Sequence, residues 1–161
     1  MAHPRLPRPA ASLRLLLAFG AVAALPALHA LIDTNQDGIS DLWAALYPSA
    51  GAPTADPDND GLANLLEYAT GLSPVATGTS APLQIGSAAA GTVTLSYRRR
   101  TDVTDVALHL QTSNDLVSWT DVDTAAATVA AISGEPLVQL RSLTFPVPAT
   151  RIFYRLVATP Q

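Results

Sequence analysis

The chain has 161 residues, 13 acidic against 9 basic, a formal net charge of −4 and no cysteine. That length allows one ordinary domain with a small module beside it. The acidic balance argues against a nucleic-acid binder, and the missing cysteines exclude disulfides and a thiol nucleophile.

The first 30 residues read as a leader rather than as fold. Arg5, Arg8 and Arg14 precede an apolar run from Leu15 to Leu25, followed by the small-residue stretch Ala27-Leu28-His29-Ala30. This is the layout of a secretory signal peptide, with cleavage expected after Ala30. The apolar run is short for a membrane span, which needs about 20 residues. Removing the leader takes away three basic residues and leaves six against thirteen acidic ones, a net charge of −7. Seven of those acids fall in two short stretches between residues 33 and 67. Unneutralised, they would repel one another and resist compaction. The expected location is secreted, in the medium or on the cell surface.

The first acidic stretch is D-T-N-Q-D-G-I-S-D, with Asp33, Asn35, Asp37, Gly38 and Asp41. The second, 23 residues later, is D-P-D-N-D-G-L-A-N-L-L-E, with Asp56, Asp58, Asp60, Gly61, Asn64 and Glu67. The second has the spacing of a twelve-residue calcium loop. A calcium ion takes roughly six to eight oxygens, and alternate residues of a tight turn can all aim inward. The glycine permits the bend, the Ile39 and Leu62 carbonyls occupy the seventh position, and Glu67 closes the shell with two oxygens. Loop one has Ala44 at its twelfth position. It lacks the closing carboxylate and is expected to be the weaker site. Asp, Asn and Gly also mark ordinary turns. The repetition, each time running into an apolar helical segment, favours metal ligation.

Ser40 to Tyr47 is expected to be a short helix with Leu42, Trp43, Leu46 and Tyr47 on one side, ended by Pro48. A second helix is expected over 62–70, where Leu62, Leu65, Leu66 and Ala69 follow helical spacing. Gly71 stands where a left-handed cap belongs, and Pro74 prevents continuation. Neither helix is long enough to be stable alone. The expected packing sets Trp43 and Leu46 against Leu65, Leu66 and Tyr68.

Residues 73–82 read as a Pro/Thr/Ser/Gly linker, and the composition then turns to Val, Thr, Leu and Ala. Val93, Leu95 and Tyr97 alternate with polar residues, as do Val106, Leu108 and Leu110. Further strands are expected over 116–122, 124–132, 137–145 and 152–158. Six or seven short strands without a helical period predict an antiparallel β-sandwich over 83–161. The predicted fold class is therefore mainly β with a small α module: a leader at 1–30, paired loop–helix units at 31–72, a linker at 73–82 and the sandwich.

Little other chemistry is offered. His109 is the one histidine beyond the leader and stands on an outward strand position. Arg98-Arg99-Arg100 reads as a polar strand end, and Asp102, Asp105, Asp121 and Asp123 as turn residues. No catalytic set is present, so a non-enzymatic role is expected.

The segments D-T-N-Q-D-G-I-S-D at 33–41 and D-P-D-N-D-G-L-A-N-L-L-E-Y at 56–68, with T-G-L-S-P at 70–74, resemble the thrombospondin type 3 and EF-hand-like calcium repeats of bacterial extracellular proteins. The likeness covers about 42 residues. It implies Ca2+ ligation by Asp33, Asn35, Asp37 and Asp41, and by Asp56, Asp58, Asp60, Asn64 and Glu67. Two departures are the absence of the cysteines of animal repeats and Ala44 at the closing position. The C-terminal part loosely resembles fibronectin type III sandwiches, through residues 108–113, Trp119 and 153–156. A secreted protein in which calcium plays a structural role is the leading expectation. The alternative is a cell-surface recognition module whose sandwich binds a glycan or a protein.

Overall fold

The computed structural model describes residues 32–78, 80–86, 91–148 and 150–161. The predicted leader lies outside the described residues. Among the described residues, no helix is long and apolar enough to cross a membrane.

Two helices precede seven strands. Helix α1 (Asp41–Leu46) follows loop one, and α2 (Asn64–Thr70) follows loop two. The strands are β1 (Leu83–Gly86), β2 (Thr92–Arg100), β3 (Val106–Ser113), β4 (Thr120–Asp121), β5 (Thr128–Ile132), β6 (Glu135–Pro146) and β7 (Phe153–Pro160). They form two antiparallel sheets, β1-β2-β6-β5 and β4-β3-β7, so the mainly β prediction with a small α module holds.

The period-two alternation read in β2 and β3 determines which side of each sheet is buried. Leu95 and Tyr97 of β2 meet Leu143 of β6 and Leu110 of β3, with Leu83, Leu108, Phe145, Tyr154 and Leu156 around them. Both sheets thus contribute to one apolar layer, as sandwich packing requires. On the other face of β2, Thr94 and Ser96 pair across the strand with Thr144 and Ser142, hydroxyl to hydroxyl, at 3.0 and 2.9 Å. Leu95 lies opposite Leu143 in register, which places both inside. A one-residue slip would exchange the two faces.

The helical module shares a second core with the sandwich. Ile39, Trp43, Ala50, Tyr68 and Ala69 pack with Val103 and Val106, and Leu108 and Ala158 border the same cluster. The module therefore covers the end of the sandwich where β2 passes into β3. Ser40 caps α1 by accepting the Trp43 N–H at 3.3 Å, and Gly71 ends α2 at φ 71°. Both helix boundaries fall where cap chemistry places them.

Several expectations need correction. Leu46 is 67 % exposed and Leu42 43 %, so they do not join Trp43 in the core. Trp43 does meet Tyr68 as expected, edge-on at 5.7 Å, and also Tyr47 at 4.9 Å. The strand expected over 116–122 shrinks to Thr120–Asp121. Asp115 accepts the N–H groups of Val117 and Ser118, both at 2.8 Å, and Ser113 accepts that of Leu116 at 2.9 Å. Those bonds hold a turn with Leu116 at φ 64°, which a strand cannot accommodate. Asp102 is buried and paired with Arg100, not merely a solvated turn residue.

Candidate metal centre

The two acidic loops have the same backbone. Their fourth positions, Gln36 and Asn59, lie at φ 55° and 58°, and their sixth, Gly38 and Gly61, at φ 87° and 91°. Two left-handed residues so close together coil the chain tightly enough to turn successive side chains inward, and glycine adopts that region without strain.

The first aspartate of each loop secures the coil. Asp33 accepts the N–H groups of Asp37 and Gly38 at 3.2 and 2.8 Å. Asp56 accepts those of Asp60 and Gly61 at 3.2 and 2.9 Å. The fifth-position aspartate then takes the N–H of the seventh residue: Asp37 from Ile39 at 2.8 Å and Asp60 from Leu62 at 3.0 Å.

The loops differ in what their side chains converge upon. In loop two, Asp56, Asp58 and Asp60 each offer a carboxylate oxygen within 4.8 Å of the others, a group able to hold a metal ion. Among the described residues it is the one cluster of three such groups. Glu67 stands in the first turn of α2 and is 0 % exposed. Neither of its oxygens has a hydrogen-bond partner, and Asp58 Oδ2 is likewise buried and unpartnered. Burial pushes the Glu67 carboxyl up to about 7, and the charges of Asp58, Asp60 and Asp56 push in the same direction. A bare buried carboxylate beside three others is costly, and a cation among them removes that cost.

Asn64 is also fully buried. Its Nδ2 donates to the carbonyls of Ala50 and Ala52, both at 2.7 Å, tying loop two to the connector from α1. Its Oδ1 remains buried and unpartnered. These orphaned atoms are all oxygens, the donor type hard divalent cations take, and there is no nitrogen or sulfur among them.

Loop one closes on itself instead. The Asn35 amide donates to Asp37 at 2.9 Å, and Asp41 accepts the Thr34 hydroxyl at 2.7 Å. Asp33, Asp37 and Asp41 do not gather as the loop-two carboxylates do. Ala44 is exposed at the closing position and offers no oxygen side chain.

The structure also supplies supports that local spacing could not reveal. Arg98 is buried, pairs with Glu135, and donates to the Thr70 carbonyl at 3.2 Å and the Gly71 carbonyl at 3.4 Å. Arg100 pairs with Asp102 at 2.6 Å and lies 4.8 Å from the Tyr68 ring centre. Arg98 and Arg100 therefore fasten β2 to the carbonyl end of α2. Tyr68, buried next to Glu67, donates its hydroxyl to Asp105 at 3.2 Å. Burial and the Asp105 charge push that phenol up to about 12. An unbroken basic triplet in an acidic chain was the only sequence signal for these contacts.

On the outer face of the smaller sheet, His109 contacts Asp121 at 2.9 Å and Thr159 at 3.3 Å. Gln111 joins Asp121 to Arg155, whose guanidinium lies 4.1 Å over Trp119. No known family model matches this chain, and no curated protein sequence matches it.

Proposed function

We propose that this is a calcium-binding protein in which loop two holds the ion and the ion has a structural role. The observation that carries the reading is Glu67: a fully buried carboxylate, both oxygens unpartnered, beside Asp56, Asp58 and Asp60. These four side chains and the Leu62 carbonyl would hold the cation, with Asn64 Oδ1 at its ninth position acting through water. Bound there, the metal would supply positive charge that lets Glu67 ionise in place. What this chain's own residues do is coil the loop, keep water from Glu67 and pass the restraint through α2 to the sandwich. We read the protein as a non-enzymatic, secreted member of the bacterial calcium-repeat type that loops one and two resemble. Affinity in the extracellular range of roughly 10⁻⁴–10⁻³ M is expected.

The test is calorimetric titration of residues 31–161 with calcium, beside D56A and D60A. Uptake of one ion by the parent, lost in both variants, supports the reading. Equal heats in all three proteins would overturn it.

A second reading, a recognition module, draws on the polar and aromatic row His109, Asp121, Gln111, Arg155 and Trp119 on an exposed sheet face. Binding of the intact protein to a glycan array, abolished by W119A and indifferent to D60A, would favour it.

A further inference from the structure

Loop two is touched by a residue that lies outside it. Asp60 and Glu67 line a cavity of about 250 Å³ together with Thr77 and Gly78 of the stretch after α2. At its edge the Gly78 N–H donates to Asp60 Oδ2 at 3.0 Å. The other oxygen, Oδ1, accepts the Leu62 N–H at 3.0 Å. The Asp60 carboxylate is thus held once from within its loop and once from 18 residues further on.

Gly78 has no positive φ, unlike the glycines of the two loops, so its backbone would suit any residue. The constraint is space. A Cβ at this position would stand 2.7 Å from Asp60 Oδ2, closer than real side chains approach. The atom that such a Cβ would meet is the free end of the Asp60 side chain, so the carboxylate is the part that yields.

We propose that Gly78 is a positioning residue for the cation of loop two, acting through Asp60. The inference rests on the calcium reading above. Three carboxylates within 4.8 Å repel one another, and in a metal-free loop each gains by swinging toward solvent. A backbone donor from outside the loop opposes that swing at Asp60. It orders the ligand before the ion arrives, as outer-shell hydrogen bonds do in metal sites generally. The 73–78 stretch accordingly belongs to the metal site as well as joining the module to β1.

The decisive comparison is calcium calorimetry and thermal melting of the parent and G78A in the intact chain, with T77A as a neighbouring control. G78A is expected to raise the calcium Kd about tenfold or more, in the range for lost outer-shell contacts. Its calcium-free melting temperature stays at the parental value, and T77A matches the parent in both measurements. A purely structural role would lower the metal-free melting temperature along with affinity, and that result overturns the proposal. Amide hydrogen exchange on the unmutated protein is independent of whether G78A folds. The Gly78 amide should slow about tenfold or more on adding calcium, and an unchanged rate counts against the assignment. If the parent binds no calcium, the calcium reading falls and this inference with it. If the parent binds and G78A binds equally well, only the role of Gly78 falls.

Discussion

Replacing Glu67 by glutamine should abolish the calcium-free protein's loss of stability between pH 4.5 and about 7 and weaken its response to calcium. In the folded, metal-free chain the carboxyl is raised from 4.5 to about 7, first by burial and then by Asp58, Asp60 and Asp56. The folded state holds that proton more tightly than the unfolded state. The stability this group contributes is complete below the unfolded value of 4.5 and is lost as pH rises toward about 7. The difference corresponds to about 3 kcal/mol, or roughly 10 °C in melting temperature for a chain of this size. Glutamine does not titrate, so E67Q has no such slope. Its amide brings buried N–H groups whose cost does not vary with pH, and the slope rather than the offset is diagnostic. Thermal melts followed by circular dichroism in chelator, from pH 4 to pH 8, should show the parent falling relative to E67Q. Adding calcium at 100 times its Kd should then raise the parent by about 2.7 kcal/mol and E67Q by much less. Parallel pH curves for the two proteins would refute the claim that Glu67 is the buried, uncompensated member of the site.

Three further outcomes follow from the geometry. A44E places a carboxylate at the vacant twelfth position of loop one, and calorimetry should then resolve a second calcium event; an unchanged single event would mean that the Asn35–Asp37 and Thr34–Asp41 contacts hold that loop shut. R98A removes the donors to Thr70 and Gly71 and strands Glu135, so the urea midpoint should fall by the equivalent of about 3 kcal/mol; a loss below about 0.5 kcal/mol would show that the ion pair is not what secures α2. Y68F deletes the bond to Asp105 and should cost about 1–2 kcal/mol by the same assay, with calcium affinity retained; equal stability would remove this contact from the docking of α2.

The loops were legible because turns coiled this tightly constrain residue identity at nearly every position. Left-handed backbone at the sixth residue requires glycine, and carboxylates must recur at alternate positions, so Asp33–Gly38 and Asp56–Gly61 show their shape in print. The strands were legible wherever one side faces the core, as in Leu95 and Tyr97. The side of α1 that would be buried was not. A helix of six residues has too few turns for periodicity to choose between Trp43 and its neighbours Leu42 and Leu46. The sandwich end decides it, through Val103 and Val106. The turn at Asp115 was missed because Leu116, Val117 and Trp119 have strand-like character, while the polar bonds that fold it are made by Ser113 and Asp115. Pairings such as Asp60 with Gly78, or Tyr68 with Asp105, join residues far apart in sequence, and no local pattern encodes them.

The protein's two tryptophans divide it optically. Trp43 is buried in the module beside Tyr47 and Tyr68, whereas Trp119 lies under Arg155 on the far side of the smaller sheet. A W119F protein would have one indole emitter, placed in the shared core and flanked by two tyrosine energy donors. Its emission would shift to the red when the module loosens from the sandwich end and Trp43 meets water. The chain thus carries a label-free reporter of the junction between its two parts.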